Sequence, residues 1–267
     1  LTRRATEEAV RFIVESGDRP FFLYVPYSMP HTPIFRSEPF AGVSAGGRYG
    51  DVVEELDWSV GRIRAALASQ GVARDTLVVF TSDNGPWLAM RHHGGSPGLL
   101  NNGKGTTFDG GMRVPAIFWW PGTIAPGTVH ELGSTLDLLP TVAALAGVQP
   151  PGAVDGHDLS DTLRRGAASP RHEFAYYRGG ELQAYRLGRY KLRLVSAGAY
   201  DLPPERLEHD PPLLFDLRAD PGERYDIAAD HPGVVADIRA AIAAHRAGLT
   251  DAPPLFDRRL APPGGGR

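Results

Sequence analysis

Apolar residues recur at three- and four-residue spacing in two early stretches of the chain. Up to about Ser16, Ala9, Val10, Phe12 and Ile13 sit among charges ahead of Gly17, which predicts an amphipathic helix with a glycine stop. From Tyr49 to Ser69, Val52, Val53, Leu56, Val60, Ile63 and Leu67 predict a long helix with one apolar face, stopped at Gly71. Between them, "PFFLYVPYSMPH" reads as a buried strand running into a proline-punctuated loop. Further on, "TLVVFTS" and "VPAIFWWPG" are apolar runs joined by a long glycine-rich loop, and "LGSTLDLLPTVAALAG" is a helix stopped at Gly147. Strands that are continuous apolar runs, separated by helices, predict a parallel sheet covered on both faces.

The pattern changes after about Pro170. "EFAYYRGGELQAYRLGRYKLRLV" alternates polar and apolar residues around glycine turns, as antiparallel strands with one wet face do. "PPLLFDLRADPGERYDIA" adds a short strand and a turn, and "HPGVVADIRAAIAAHRAGL" a last amphipathic helix. The expected architecture is an α/β portion over residues 1–170 and a small α+β domain over 171–267. There are no internal repeats, and "APPGGGR" reads as a disordered end.

Composition narrows the function classes. A net charge of −3 gives no reason to expect a nucleic-acid or anionic-membrane partner. No apolar run approaches the length of a membrane span. The complete lack of cysteine excludes disulfides, thiolate metal sites and a cysteine nucleophile within these residues.

Candidate chemistry gathers at loops. "LVVFTSDNGPW" changes abruptly from strand to Ser82, Asp83, Asn84, Gly85 and Pro86. Ligands of open α/β sheets collect at the carboxyl ends of strands. Adjacent carboxylate and amide oxygens suit a hard cation such as Ca²⁺ or Mg²⁺, and a following glycine lets the chain turn without crowding it. The same four residues are also ordinary turn formers. His31 follows a strand end and is boxed in by Pro30 and Pro33, either as a rim imidazole or as a surface histidine. Lys104 in "NNGKGTTFDGG" lies between glycines, either meeting an anionic oxygen or sitting in a solvated loop. The DPGE turn near Glu223 by itself means only a turn.

Taken in order, "HTPIF", "RYGDVVEELDWSVGRI", "VVFTSDNG", "GKGTTFDGGMRVPAIFWWPG", "FAYYRGGELQAYRLGRYK" and "LLFDLRADPGERY" resemble the type I sulfatases of the alkaline phosphatase superfamily over nearly the whole chain. The resemblance implies an alkaline-phosphatase-like α/β sandwich, here incomplete, followed by the small α+β domain. It makes Asp83 and Asn84 metal ligands, usually for calcium with magnesium possible, and gives His31 and Lys104 contact with the sulfate ester. It also implies that His209, before a strand in "LEHDPPLLF", reaches towards the substrate, the alternative being an exposed loop histidine. His92 and His93 can line the same cleft by position. The implied substrate is a sulfate ester, small or on a glycan, such as N-acetylgalactosamine 6-sulfate, and the implied location is extracytoplasmic.

The departures are as informative. The family's nucleophile is a formylglycine made from the first residue of a Cys- or Ser-x-Pro-x-Arg motif, and no residue here begins that pattern. The Asp-Asp pair and Lys-x-His segment of the family are absent too. The expectation is therefore a C-terminal part of a longer sulfatase, inactive alone, with the formylglycine in a preceding part. Two alternatives stand beside it: a phosphate or phosphonate monoester hydrolase of the same superfamily, and a non-catalytic anion- or glycan-binding remnant.

Overall fold

In the computed structural model, which describes residues 1–250, helix α1 (Thr2–Ser16) packs against helix α2 (Gly47–Ser69). Ile13 of α1 and Ala66 and Leu67 of α2 form one buried cluster, against which Val10 of α1 and Ile63 of α2 also pack. A polar seam crosses the same contact: Thr6 Oγ1 and Ser59 Oγ lie 2.6 Å apart, both buried. Ser59 Oγ also meets Tyr27 OH, which ties the chain before His31 onto α2. At the other end of α2, Asp51 accepts backbone N–H groups from Gly42 and Ser44, both at 2.9 Å, and organises the preceding loop.

Two expectations are corrected here. Residues 20–28 are extended but form no strand; among the described residues no neighbouring strand pairs with them. Phe21 and Leu23 pack onto the α1–α2 cluster, while Phe22 and Tyr24 are 76% and 75% exposed. The segment has a strand's alternation without a strand's ladder. Secondly, β1 (Val78–Thr81) and β2 (Ala116–Trp119) pair with each other antiparallel, Val78 opposite Trp119 and Thr81 opposite Ala116. The glycine-rich connection doubles back as a wide hairpin arm. An apolar run reports burial and not the direction of its neighbour, and even burial is partial, with Ile117 58% exposed.

The middle of the chain is built around a buried ion pair. A 3-10 turn at Thr135–Asp137 leads into helix α3 (Leu138–Leu145), opened by a capping box between Ser134 and Asp137. Asp137 also accepts the His157 N–H at 2.8 Å and an N–H of Arg171 Nη2 at 2.6 Å, pinning the following loop to the start of α3. A short helix, Ser160–Arg165, follows that loop and has no counterpart in the sequence expectations.

The C-terminal part has the antiparallel strands and closing helix that the sequence predicts, but not the wet face: Lys191 and Arg193, opposite the helix, are buried under the glycine-rich loop. Strands β3 (Glu173–Arg178), β4 (Glu181–Leu187), β5 (Tyr190–Ser196) and β6 (Leu207–Asp216) form an antiparallel sheet in sequential order. The helix Pro232–Ala247 covers one face, burying Ile238 and Ile242 against Leu182, Tyr185, Leu192 and Leu214. Because side chains alternate along a strand, Lys191 and Arg193 leave β5 on the opposite face, and both are fully buried. The glycine-rich loop sits there. Among the described residues no helix is long and apolar enough to cross a membrane. The "APPGGGR" stretch lies outside the described residues.

Candidate functional site

Strand β1 ends at Thr81 and the chain turns at once through Ser82 to Gly85. Asp83 is exposed and Asn84 half-buried at this end. The Gly85 N–H donates to Gly111 O at 3.0 Å, and a Cβ on Gly85 would lie 1.8 Å from Gly110 O. Only glycine fits that approach. Its necessity therefore comes from packing against the Asp109–Met112 turn, a reason the sequence did not disclose.

The same packing delivers Lys104. Its N–H donates to Pro86 O at 2.8 Å, and its ammonium lies 5.2 Å from the centroid of the Trp87 ring. The His31 ring stands 5.5 Å from that indole and Tyr200 4.9 Å from it, centroid to centroid. Residues distant in sequence thus gather round one tryptophan, three positions after Asn84. His31 Nδ1 lies 2.7 Å from Thr32 O, an acceptor only, so the Nδ1–H donates there and Nε2 is left for other chemistry. The Trp87 Nε1–H is buried and unpartnered among the described residues.

A pocket of about 510 Å³ opens beside this cluster, lined by His31, Pro33, Arg48, Trp87, Met90 and His93 among others. Of the two adjacent histidines, His93 lines it and His92 does not. Arg48, at the start of α2, went unnoticed in the sequence because nothing local distinguishes it from a solvated helix residue. His209 lies within β6 and not before it, with Nε2 2.8 Å from Ser196 Oγ. Burial, and then the nearby Arg193 charge, hold its pKa below the usual histidine range. It does not line the pocket, and neither do Asp83, Asn84, Lys104 or Tyr200, of which Lys104 and Tyr200 reach the pocket's Trp87 from beside it.

What holds the Lys104 loop is a buried ionic cluster. Lys191 Nζ donates to Asp109 Oδ1 at 2.8 Å, Glu223 Oε1 at 3.1 Å and Thr107 O at 2.9 Å. Arg193 Nη2 donates to Glu223 Oε2 at 2.6 Å, and its guanidinium lies 3.6 Å from the Phe108 ring centroid. Two cations thus face two carboxylates, all out of solvent, with Thr107 and Val195 O accepting further Arg193 donors and the Arg193 Nε–H left without a partner among the described residues. Burial pushes the Asp109 carboxyl up, but Lys191 outweighs it and holds the group below the usual carboxylate range. The DPGE turn is therefore more than a turn. Its Glu223 N-terminally caps the Asp109 turn through Asp109 N at 2.7 Å and anchors the sheet to the loop.

The metal expectation can be weighed on the donors present. Asp83 and Asn84 offer the hard oxygens calcium prefers, and they share one exposed strand end. Calcium takes about 6–8 oxygens, and among the described residues no group of three or more His, Asp or Glu side chains is placed to hold an ion. The two residues fit in kind and are an incomplete set.

Comparison with known proteins points in one direction. The family model described as Sulfatase matches residues 1–148, and that of the C-terminal region of aryl-sulfatase matches 169–263. The chain is 46% identical to arylsulfatase A of Bos taurus over 225 residues, 78% of this chain and 44% of that protein. It is 44% identical to N-acetylgalactosamine-6-sulfatase of Mus musculus over 253 residues, 85% of this chain and 48% of that protein. The solved structure of a sulfatase from Pseudoalteromonas sp. superposes with a TM-score of 0.84 at 28% identity, covering 91% of this chain and 51% of that one. The chain spans about half the length of the curated relatives it matches.

Proposed function

The chain belongs to the sulfatase family, and from that premise we propose that the natural protein hydrolyses a sulfate ester of a sugar, such as N-acetylgalactosamine 6-sulfate, in the cleft around Trp87. The observation that carries this reading is the gathering of His31 and Lys104 on one indole, beside the Asp83–Asn84 strand end. Lys104 meets the outer oxygens of the sulfate as a point charge. His31, protonated at Nε2, gives its proton to the departing alcohol oxygen, where negative charge grows as the S–O bond breaks. Arg48 and His93 add cationic capacity to the pocket wall.

Asp83 and Asn84 would hold a divalent cation, calcium with magnesium as its substitute, together with ligands from elsewhere. Bound there, the cation supplies a fixed positive charge beside the sulfate. No cysteine, and no serine opening an x-Pro-x-Arg pattern, occurs in the 267 residues, so nothing within them supplies the formylglycine nucleophile.

The test is to assay the natural gene product with 4-nitrocatechol sulfate and N-acetylgalactosamine 6-sulfate, with and without calcium. Calcium-dependent turnover, lost in Asp83→Ala, is the expected result. Turnover of phosphate or phosphonate monoesters alone would move the assignment to that neighbouring chemistry.

A further inference from the structure

The loop between β5 and β6 is built towards the cleft in a way the sulfate chemistry does not require. Tyr200 sits in it, 4.9 Å from the Trp87 centroid and 46% exposed. Lone exposed tyrosines in loops are common and mean little. This one is held. A Cβ on Gly105, the neighbour of Lys104, would lie 2.8 Å from Ala199 Cβ and 3.0 Å from the Tyr200 ring, so a larger residue there would push the ring away. Asn102 Nδ2 donates to Pro203 O at 3.0 Å, and Arg178 Nη1 donates to Gly198 O at 2.6 Å, fastening the loop from two sides. Tyr200 and Asp201 are successive non-glycine residues in the left-handed region, at φ 55° and 60°. Such backbone is unfavourable for both and persists only where surrounding contacts impose it. The outcome is an aromatic face fixed beside Lys104 and open to solvent.

We propose that Tyr200 is the platform on which the pyranose ring bearing the sulfate lies, making the β5–β6 loop a determinant of preference for sugar sulfates. This rests on the sulfate-ester reading above. A pyranose presents a flat patch of C–H groups on one face, which an aromatic ring covers while its hydroxyl rim stays wet. Ligand sites commonly pair such an apolar wall with a few charged groups that fix orientation. Here Lys104 and His31 fix the sulfate, and Tyr200 takes the ring. Tyrosine suits this task because it presents a large rigid face at low conformational cost.

The test uses the natural gene product. Tyr200→Ala raises KM for N-acetylgalactosamine 6-sulfate by about threefold to tenfold, the scale of one aromatic face. Tyr200→Phe keeps the face and stays within about twofold of the parent, since stacking needs no hydroxyl. Inorganic sulfate, which has no ring, inhibits Tyr200→Ala and the parent with the same Ki. An unchanged KM in Tyr200→Ala overturns the platform, as does a Ki for sulfate that rises in parallel, which would mark a collapsed anion site. A rise confined to 4-nitrocatechol sulfate overturns it in favour of an aryl site. If the parent turns over no sulfate ester, the functional reading fails and the platform falls with it; a failure of the platform alone leaves parental turnover intact.

Discussion

At the scale of single residues, Lys104 carries the sharpest expectation. The residue is half-buried with its ammonium beside Trp87, and its backbone is fixed to Pro86. A charge held in place before the reaction stabilises developing negative charge without reorganisation. Lys104→Ala is therefore expected to lower kcat by about 10²- to 10³-fold, like the loss of one oxyanion donor, with the melting temperature little changed. Unaltered turnover would remove Lys104 from the chemistry. The motif residues Asp83, Asn84, His31 and Lys104 were legible in the sequence because each lies inside a short local pattern. Trp87, Arg48 and Tyr200 were not. They become neighbours of the site only through tertiary packing, and Tyr200 arrives on the connection between two strands that read as structural.

At the scale of elements, helices were legible and strand partners were not. Periodicity located α1 and α2 because a buried stripe has to repeat with the helix. The direction of β1 against β2, and the unpaired chain over 20–28, depend on neighbours that periodicity does not name. Nor does it reveal that β5 sends buried cations to the glycine-rich loop. That junction predicts a large effect: Glu223→Ala leaves Lys191 to Asp109 alone and Arg193 with no carboxylate, one uncompensated buried charge, and should cost about 3–5 kcal/mol. Denaturant unfolding measures it, and a cost below about 1 kcal/mol would mean that water reaches the cluster. The Asp137–Arg171 pair adds a pH dependence. Burial pushes the Asp137 carboxyl up, but Arg171 and the His157 and Ser134 N–H groups overcome it, so its folded pKa lies below the ordinary 3.8. A depressed acid stabilises the fold above its unfolded pKa, and that contribution disappears as pH falls through the folded value. Thermal melts should therefore show Asp137→Asn well below the parent at pH 7, with the gap closing below about pH 4. A gap independent of pH would mean that ionisation of Asp137 does not matter.

At the scale of the whole molecule, the chain gathers His31 and Lys104 on Trp87 beside the Asp83–Asn84 strand end, the arrangement proposed above to face the sulfate. Lys104 and His31, with a cation that the Asp83–Asn84 oxygens would help to hold, would bind an anion, but binding ground state and transition state equally well accelerates nothing. No residue in the sequence begins the pattern from which formylglycine is made, and among the described residues no group of three or more His, Asp or Glu side chains is placed to hold an ion. Phe22 and Tyr24 project from an unpaired extended segment, with Ile117 exposed on β2, and an open apolar edge of that kind favours self-association. The expected behaviour of the 267-residue polypeptide by itself follows: concentration-dependent aggregation, reduced by Phe22→Ser with Tyr24→Ser, and no turnover of 4-nitrocatechol sulfate at any calcium concentration. Light scattering and a colorimetric assay check the two halves separately. Calcium-dependent turnover by these residues alone, abolished by Asp83→Ala, would mean that the attacking group is among them after all, and Ser82 and Ser28, the serines closest in sequence to Asp83 and His31, would be the first to replace.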